Sequence, residues 1–416
     1  MINGNEGTNQ TSKGVGRTLV AERRGRARIP FSRPYLGPEE EEAVREVLRE
    51  GRLESGSRVR AFEERLASWL GVKYAVVVAS GAAALHAALY AVGISRGDEV
   101  ILSPLAPPEV GSAILYLGAK PVFADINPAT LTLDLEEVKR NLTPQTRALI
   151  VTHYAGLPAD LEPLTAFAAE NELALIEDAT CALGATYKGR PVGSFGQVAA
   201  FSFSPDSTLT TGTGGAVVTD DPEIYRWLRL FTSLGIVRSL ADWVRKEGPW
   251  HFEVQEVGFD YRPGEIQGAL GLAQLGRLEE MLTRRRELAA RYLEALSSLP
   301  LHPVSYPPNS QPAWTFFPVR LNLEALRAGR EEIYPALWVE GVEVGVHYLP
   351  LYLHPLYGWI GDPNVCTLGQ GPPCPKAEAV YPELLSLPLY PAMTDEEQGE
   401  VIAALSRVLL SRLKVS

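Results

Sequence analysis

Apolar residues follow two alternating spacings along most of this chain. Glu39 to Glu50 and Val59 to Leu70 carry apolar side chains at helical spacing, which predicts two amphipathic helices. Tyr74 to Val78 is instead a continuous apolar run, typical of a buried strand, and it leads through Ala79-Ser80-Gly81 into the helical segment Ala82 to Val92. A strand, a tight turn and a helix in this order direct backbone N–H groups at the helix start toward an anion.

The same alternation continues to about residue 234. Further strands are predicted at Glu99–Leu102, Pro121–Ala124, Ala148–Thr152, Ala174–Glu177, Val198–Phe203 and Ala216–Thr219, and helices at Leu161–Asn171 and Pro222–Leu234. Strands separated by helical segments of this length predict an α/β fold with a largely parallel sheet covered by helices. Ligands of such sheets bind at the carboxyl ends of the strands, so the turns after these strands form the candidate site.

The second half of the chain has a different pattern. One long helix is predicted at Ile266–Leu296, strand-like segments at Trp314–Leu321 and Val342–Tyr348, helices at Leu323–Glu340 and Asp395–Leu413, and a Pro/Gly-rich loop at Pro355–Pro375. We therefore expect a large α/β domain at 29–265, a bridging helix at 266–298 and a smaller C-terminal α+β domain at 299–416. Residues 1–28 are rich in small and polar residues, which predicts a disordered tail; a docking arm for an acidic partner is the alternative.

Composition narrows the class of partner. The 416 residues carry a formal net charge of −11, which argues against a broad nucleic-acid surface. No apolar run approaches the roughly 20 residues that span a bilayer, so no membrane association is expected. The three cysteines and six histidines show no spacing typical of a disulfide framework or a metal site. We expect a cytoplasmic protein without a structural metal.

Short motifs occupy the predicted turns in a defined order. They are Ser80-Gly81-Ala82, Gly97-Asp98-Glu99, Glu177-Asp178-Ala179, Phe201-Ser202-Phe203, Thr211-Gly212-Thr213-Gly214-Gly215, Tyr261-Arg262 and Leu387-Pro388-Leu389-Tyr390-Pro391. From Ile29 onward, this ordered set resembles the DegT/DnrJ/StrS family of aminotransferases that depend on pyridoxal phosphate (PLP). The resemblance implies the fold-type I architecture, a homodimer, and transfer of an amino group from glutamate to a nucleotide-linked keto-sugar through PLP and its aminated form, pyridoxamine phosphate (PMP).

The resemblance also implies roles at the cofactor site. Asp178 would keep the pyridine nitrogen protonated, so that the ring acts as an electron sink; a turn or helix-capping aspartate is the alternative. Gly81 and Ser202 would hold the cofactor phosphate through backbone and hydroxyl donors.

The family's Schiff-base lysine falls four residues after Phe203, and the residue there is Ser207. A hydroxyl forms no imine with the cofactor aldehyde and does not shuttle a proton as an amine does. The chain has eight lysines, Lys13, Lys73, Lys120, Lys139, Lys188, Lys246, Lys376 and Lys414. The sequence pattern places none of them beside Asp178, so the catalytic lysine is predicted to be missing.

Four further positions differ from the family pattern. Ala82 replaces a hydroxyl residue, Cys181 a glutamine, Pro107 a ring-stacking aromatic, and Asp260 an asparagine that reaches the phosphate from a dimer partner. A carboxylate about 5 Å from a phosphate charge repels it by roughly 3 kcal/mol at an effective dielectric near 20. Low-micromolar cofactor binding is worth roughly 8 kcal/mol, so we expect cofactor binding to be weakened or lost.

Two functions remain open. One is a degenerate family member that keeps the fold and dimer surface and binds a nucleotide sugar or a lysine-bearing relative. The other is a PLP- or PMP-dependent transaminase or dehydratase acting on a nucleotide-linked keto-sugar, in surface-polysaccharide or antibiotic-sugar biosynthesis. Some relatives use histidine in place of the lysine, but serine is not a comparable base. Cofactor-free chemistry at Cys181 or Ser207 is a third interpretation, while His86, His153 and His347 are interpreted as structural or substrate-side residues.

Overall fold

A seven-stranded sheet forms the centre of the molecule. The computed structural model describes residues 28–239, 242–245, 247–359 and 373–414. The strands of its first half are β1 (Tyr74–Val78), β2 (Glu99–Leu102), β3 (Lys120–Phe123), β4 (Thr146–Thr152), β5 (Ala174–Asp178), β6 (Thr186–Tyr187), β7 (Arg190–Pro191), β8 (Val198–Ser202) and β9 (Gly215–Thr219). The order across the large sheet is β1-β9-β8-β5-β4-β2-β3.

Most neighbouring strands of this sheet are parallel. The run β8-β5-β4-β2-β3 is parallel throughout, and β9 lies antiparallel between β1 and β8. Thr152 of β4 pairs with Asp178 of β5, which pairs with Ala200 of β8. The carboxyl ends of these strands therefore meet at one edge, and the predicted α/β class with a largely parallel sheet is confirmed.

Helices cover both faces of the sheet and extend into the C-terminal part. They are α1 (Pro38–Glu50), α2 (Ser57–Leu70), α3 (Gly81–Ala91), α4 (Pro108–Tyr116), α5 (Leu135–Arg140), α6 (Leu161–Glu170), α7 (Pro222–Phe231), α8 (Glu265–Gly276), α9 (Leu278–Ala295), α10 (Arg330–Val339), α11 (Pro355–Trp359), α12 (Pro375–Val380) and α13 (Asp395–Leu410). The remaining strands are β10 (Ile236–Val237), β11 (Glu253–Val254), β12 (Leu301–Pro303), β13 (Phe317–Leu321) and β14 (Leu384–Leu387).

Two apolar cores lie on the two faces of the sheet. Successive side chains of a strand point to opposite faces, so Val76 and Val78 of β1 enter one core while Ala75 and Val77 enter the other. Helix α3 packs closely on the first face, and nine of its 11 residues are buried. Its many alanines allow the backbone to approach the strands, and Ser80 caps the start of the helix.

The C-terminal part contains its own small sheet. Strands β12, β13 and β14 are antiparallel; β14 contacts α10, and α10 packs against α13, which gives an α+β arrangement. The domain boundaries at 29–265, 266–298 and 299–416 stay a prediction. Of the predicted tail, residues 1–27 lie outside the described residues, and Arg28 bonds to Glu400. No helix in the described ranges is long and apolar enough to cross a bilayer.

Four predicted elements differ substantially from the structure. The single helix at Ile266–Leu296 is interrupted at Arg277, which has φ −111° and separates α8 from α9. The Arg277 guanidinium binds Glu40 at 3.1 Å and lies 4.5 Å from the Tyr35 ring centroid, so tertiary contacts occupy the break.

The other three differences lie beyond Pro300. The predicted loop Pro355–Pro375 begins with helix α11 instead, and residues 360–372 lie outside the described residues. Only Arg330–Val339 of the predicted helix Leu323–Glu340 is helical, because the preceding turn is tied to the end of the chain by the Arg327 N–H donating to the Arg412 carbonyl. The segment Val342–Tyr348 forms isolated bridges instead of a strand.

Candidate active site at the carboxyl edge

Asp178 ends β5 at the carboxyl edge and is 1% exposed. Its Oδ1 accepts hydrogen bonds from the Thr180 hydroxyl at 2.6 Å and from the Thr180 N–H at 3.2 Å. Its Oδ2 has no hydrogen-bond partner of normal geometry among the described residues, although the Thr152 hydroxyl of the adjacent strand lies near this carboxylate. Burial raises the pKa of the Asp178 carboxyl. A buried acceptor without a donor suits a protonated ring nitrogen.

The start of α3 forms an anion-binding turn. Ser80 caps the helix, with its Oγ accepting from the Ala83 N–H at 3.1 Å, while the N–H groups of Gly81 and Ala82 have no intrahelical acceptor. A Cβ on Gly81 would lie 2.8 Å from the Ser202 Cβ and 2.9 Å from its Oγ, so only glycine fits. The turn thus places two backbone donors and the Ser202 hydroxyl together, and Ala82 adds no hydroxyl.

Ser207 lies in the loop after β8, at the same edge. Its hydroxyl is 2.8 Å from the Ser204 hydroxyl, and its N–H donates to the Ser204 carbonyl. The Ser207 carbonyl accepts from the guanidinium of Arg285 on α9 at 3.3 Å. Arg285 is 2% exposed and also donates to the carbonyls of Trp314, Thr315 and Leu389. Arg285 therefore fixes the loop against the C-terminal part.

The six described lysines all lie away from this loop. Lys73 and Lys120 are at the amino ends of β1 and β3, opposite the site, and Lys120 bonds to Glu99 at 3.1 Å. The side chains of the others bond as follows: Lys139 to Glu136, Lys188 to Glu162, Lys376 to Asp134 and Glu137, and Lys414 to the Leu323 carbonyl. Lys13 and Lys246 lie outside the described residues.

Three other predicted site residues occupy different environments. Pro107 is buried as the N-cap residue of α4, and its saturated ring has no π face to stack. Cys181 is partly buried, and burial together with the carboxylates of Asp178 and Asp206 raises the pKa of its thiol, which disfavours the reactive thiolate. Asp260 is exposed, in contrast to both.

Both carboxylate oxygens of Asp260 bind the Arg262 guanidinium, at 2.8 and 3.0 Å, and this hydrogen bonding lowers the pKa of Asp260. The adjacent positive charge offsets the repulsion that the sequence alone predicts between Asp260 and a phosphate. Asp260 is therefore a weaker obstacle to phosphate binding than its charge suggests.

The three histidines are held by neighbouring groups. The His153 ring lies 3.3 Å from Glu177, on the sheet face opposite Asp178. His86 Nδ1 lies 3.0 Å from the Tyr261 hydroxyl, and His347 stacks on Phe316 at 4.2 Å between ring centroids. Burial lowers the pKa of both His86 and His347 to about 4, so both are neutral near pH 7.

Comparison with known proteins identifies the family. The model of the DegT/DnrJ/EryC1/StrS aminotransferase family matches residues 34–406. The chain belongs to this family. The spore coat polysaccharide biosynthesis protein SpsC of Bacillus subtilis (strain 168) is 36% identical over 384 residues, which cover 92% of this chain and 97% of SpsC.

Solved structures of aminotransferases share the fold. The aminotransferase TlmJ from Streptoalloteichus hindustanus has a TM-score of 0.83 at 33% identity, over 92% of this chain and 99% of TlmJ. Helicobacter pylori PseC, an aminotransferase involved in the biosynthesis of pseudoaminic acid, has a TM-score of 0.84 at 29% identity over the same shares. The predicted family and its fold-type I architecture are confirmed.

Sequence reasoning missed two carboxylates at this edge, Glu109 and Asp206. Glu109 lies in the first turn of α4, and Asp206 precedes Ser207 and accepts from the Ser204 hydroxyl at 2.6 Å. The sequence contained a pattern that could have predicted both residues, because each follows a proline shortly after the carboxyl end of a predicted strand. Neither belongs to the motifs that carry the family resemblance, and the sheet topology places both at its carboxyl edge.

The site fits a family cofactor in part. Asp178 suits the ring nitrogen, and the Gly81 turn with Ser202 suits the phosphate. Ser207 supplies no amine for a Schiff base and Pro107 no stacking ring. The described residues therefore offer polar groups that fit a noncovalently held cofactor, and none of them supplies the covalent anchor that the family chemistry requires.

Proposed function

We propose that this chain is a lysine-free member of the DegT/DnrJ/EryC1/StrS family that does not transaminate through a Schiff base. It keeps the family fold, binds a nucleotide-linked sugar at the carboxyl edge, and assembles with a second copy or with a lysine-bearing relative. The observation that carries the proposal is the side chain of Ser207, which is a hydroxyl at this edge. Every described lysine either bonds to another group or lies away from this edge.

The chemistry of the hydroxyl supports this proposal. Formation of the family's imine needs a primary amine, and proton transfer at the substrate carbon needs a base that accepts and releases a proton near neutral pH. The Ser207 hydroxyl bonds to Ser204 and has neither property. The described histidines closest in type to a substitute base, His86 and His347, have a pKa near 4 and are fixed by aromatic contacts.

Exposed apolar side chains support assembly with a partner. The segment that includes β10 and β11 exposes Trp250 by 79%, Val257 by 74% and Val254 by 66%. Large exposed apolar residues grouped in one segment are typical of an interaction surface. This segment leads directly into Asp260, which the family resemblance places at a partner's phosphate.

We also propose a cytoplasmic location.

A second candidate is a PLP- or PMP-dependent transaminase or dehydratase acting on a nucleotide-linked keto-sugar in polysaccharide or antibiotic-sugar biosynthesis. The unpartnered Oδ2 of Asp178 and the close contact of Gly81 with Ser202 favour it, because both would be retained for a noncovalent cofactor. The bound cofactor would supply the amino group and the electron sink. Asp178 would hold its ring, and the Gly81 turn its phosphate.

The two candidates differ in an absorbance titration of the purified protein with PLP and, separately, with PMP, followed by borohydride reduction and intact mass. The Bacillus subtilis relative SpsC, handled identically, is the comparison protein. We expect no stoichiometric borohydride-stable adduct at equimolar PLP, where the exposed lysines are labelled only sparsely. A single reducible adduct on the folded protein would refute the lysine-free proposal. Tight PMP binding without an adduct would favour the second candidate.

A further inference from the structure

The loop after β8 carries two hydroxyls in a chain that ends on a carboxylate. The Ser204 hydroxyl donates to Asp206 Oδ1 at 2.6 Å, and the Ser207 hydroxyl oxygen lies 2.8 Å from that of Ser204. An ionised carboxylate only accepts hydrogen bonds, and a hydroxyl has a single proton to donate. Because the Ser204 proton is directed at Asp206, the bond between the two serines is made by the Ser207 proton.

The Ser207 oxygen is therefore left as an acceptor. Its proton points to Ser204, so its remaining lone pairs are open to a donor. Within the part of the chain that the structure describes, no other side chain or backbone group bonds to this oxygen. Ser207 is partly exposed, and it lies in the loop that follows β8, next to β5 in the sheet. A ligand at the carboxyl edge can supply the missing donor.

Backbone contacts hold this chain of hydroxyls in place. The Ser207 N–H donates to the Ser204 carbonyl at 3.1 Å, and the Ser207 carbonyl accepts from the buried Arg285 guanidinium at 3.3 Å. The Phe203 N–H, at the start of the loop, donates to the Gly214 carbonyl at 2.9 Å. A hydrogen bond to a charged acceptor is stronger than one between neutral groups, so the Ser204 proton stays on Asp206. The fold thus sets the direction of the Ser207 hydroxyl before any ligand binds.

The chemical character of this position differs from that of a lysine. A lysine ammonium has three N–H donors and no acceptor, whereas Ser207 presents an acceptor and has its only proton engaged. Serine is also much shorter than lysine, which leaves room for a ligand group where the amine would lie. An alcohol can donate to the Ser207 oxygen, and a carbonyl group cannot.

We propose that Ser207 is a specificity-determining residue that accepts a hydrogen bond from a hydroxyl group of the bound sugar. Ser204 and Asp206 are positioning residues, because they direct the Ser207 proton away from the ligand. The inference rests on the proposed binding of a nucleotide-linked sugar and names the group of that sugar that meets Ser207. The position selects a sugar alcohol group over the corresponding ketone.

The test is isothermal titration calorimetry of the full chain with whichever of UDP-glucose and dTDP-glucose binds more tightly, and with analogues in which fluorine replaces one sugar hydroxyl at a time. Fluorine has nearly the size of a hydroxyl and donates no hydrogen bond. We expect one analogue to bind about three- to tenfold more weakly than the parent, the range of a single hydrogen bond. Ser207→Ala should abolish this difference. Ser204→Ala should reduce it, because the Ser207 proton is then free to donate to the ligand.

Ser297→Ala is the matched control, because Ser297 is exposed after α9 and its hydroxyl donates to the Glu294 carbonyl. Serine contacts of this kind also stabilise turns. That role alone would lower the Tm of Ser204→Ala and leave the affinity ratio unchanged, which would overturn the inference.

Two further outcomes are decisive. Equal affinity for the parent and all its analogues, or a difference that Ser207→Ala leaves intact, would also overturn the inference. A wild-type chain that binds neither UDP-glucose nor dTDP-glucose would instead refute the proposed binding of a nucleotide-linked sugar. The two failures are therefore distinguishable.

Discussion

Replacing Glu177 by glutamine tests how this sheet holds its site-forming loops. Glu177 is fully buried and accepts four hydrogen bonds. Its Oε1 accepts from the N–H groups of Phe195 at 2.6 Å and Gly196 at 2.7 Å, and its Oε2 from the Gly193 N–H at 2.8 Å and His153 Nε2 at 3.3 Å. One side chain therefore ties residues 193–196 to β5, beside Asp178.

Glutamine keeps the shape and converts one acceptor oxygen into an NH₂ donor. Whichever oxygen is replaced, two buried donors lose their acceptor. His153 cannot compensate by changing tautomer, because its Nδ1 already accepts from the Ala159 N–H at 3.1 Å. Each buried donor left unsatisfied costs about 1–3 kcal/mol. Two such donors should lower the free energy of unfolding of Glu177→Gln by about 4 kcal/mol. For 416 residues this is a fall in Tm of about 5 °C.

The assay is differential scanning calorimetry at several scan rates, with the exposed Glu170→Gln variant as control. Burial alone raises the pKa of Glu177, but hydrogen bonds from His153 and from backbone N–H groups outweigh it and hold the pKa below its ordinary value. Its stabilisation is therefore present above about pH 4.3 and is lost on further acidification. The difference in Tm between wild type and Glu177→Gln should narrow there. A fall in Tm no larger than that of Glu170→Gln, or a gap that persists in acid, would refute the reasoning.

Three further changes test the site. Asp178→Asn should raise the Tm of the apo protein at pH 7. Burial raises the pKa of this carboxyl, and the stability of the folded state falls as the pH rises through that pKa. The substitution should also weaken PMP binding in calorimetry, and a lower Tm would contradict this reasoning. Ser207→Lys with Asp260→Asn should give a yellow, borohydride-reducible PLP adduct visible by absorbance and intact mass, whereas a folded, colourless protein would mean deeper divergence of the pocket. Gly81→Ala should lower the free energy of unfolding by about 1–3 kcal/mol, because the added methyl group would be overpacked against Ser202. Ser202→Gly in the same chain should restore most of that stability in calorimetry. If it does not, the strain lies elsewhere.

Local patterns determined much of the first half of the chain. Runs such as Tyr74–Val78 and Glu99–Leu102 have the observed strand bounds, because a continuous apolar run between turns has few alternatives in a sheet covered on both faces. The order of the turn motifs was sufficient to recognise the family, and with it the expectation that Asp178, Gly81 and Ser202 share one edge. That expectation depends only on parallel strands ending together.

The sequence by itself therefore determined the fold class, the family and the chemical identity of Ser207. Tertiary structure decided the charges around it, through the pairing of Asp260 with Arg262 and the carbonyl contacts of buried Arg285. Arg285 and Ser207, whose carbonyl it contacts, are 78 positions apart in the sequence. Electrostatic interaction depends on distance in space and on burial, and neither is encoded in the local spacing from which strands and helices are read.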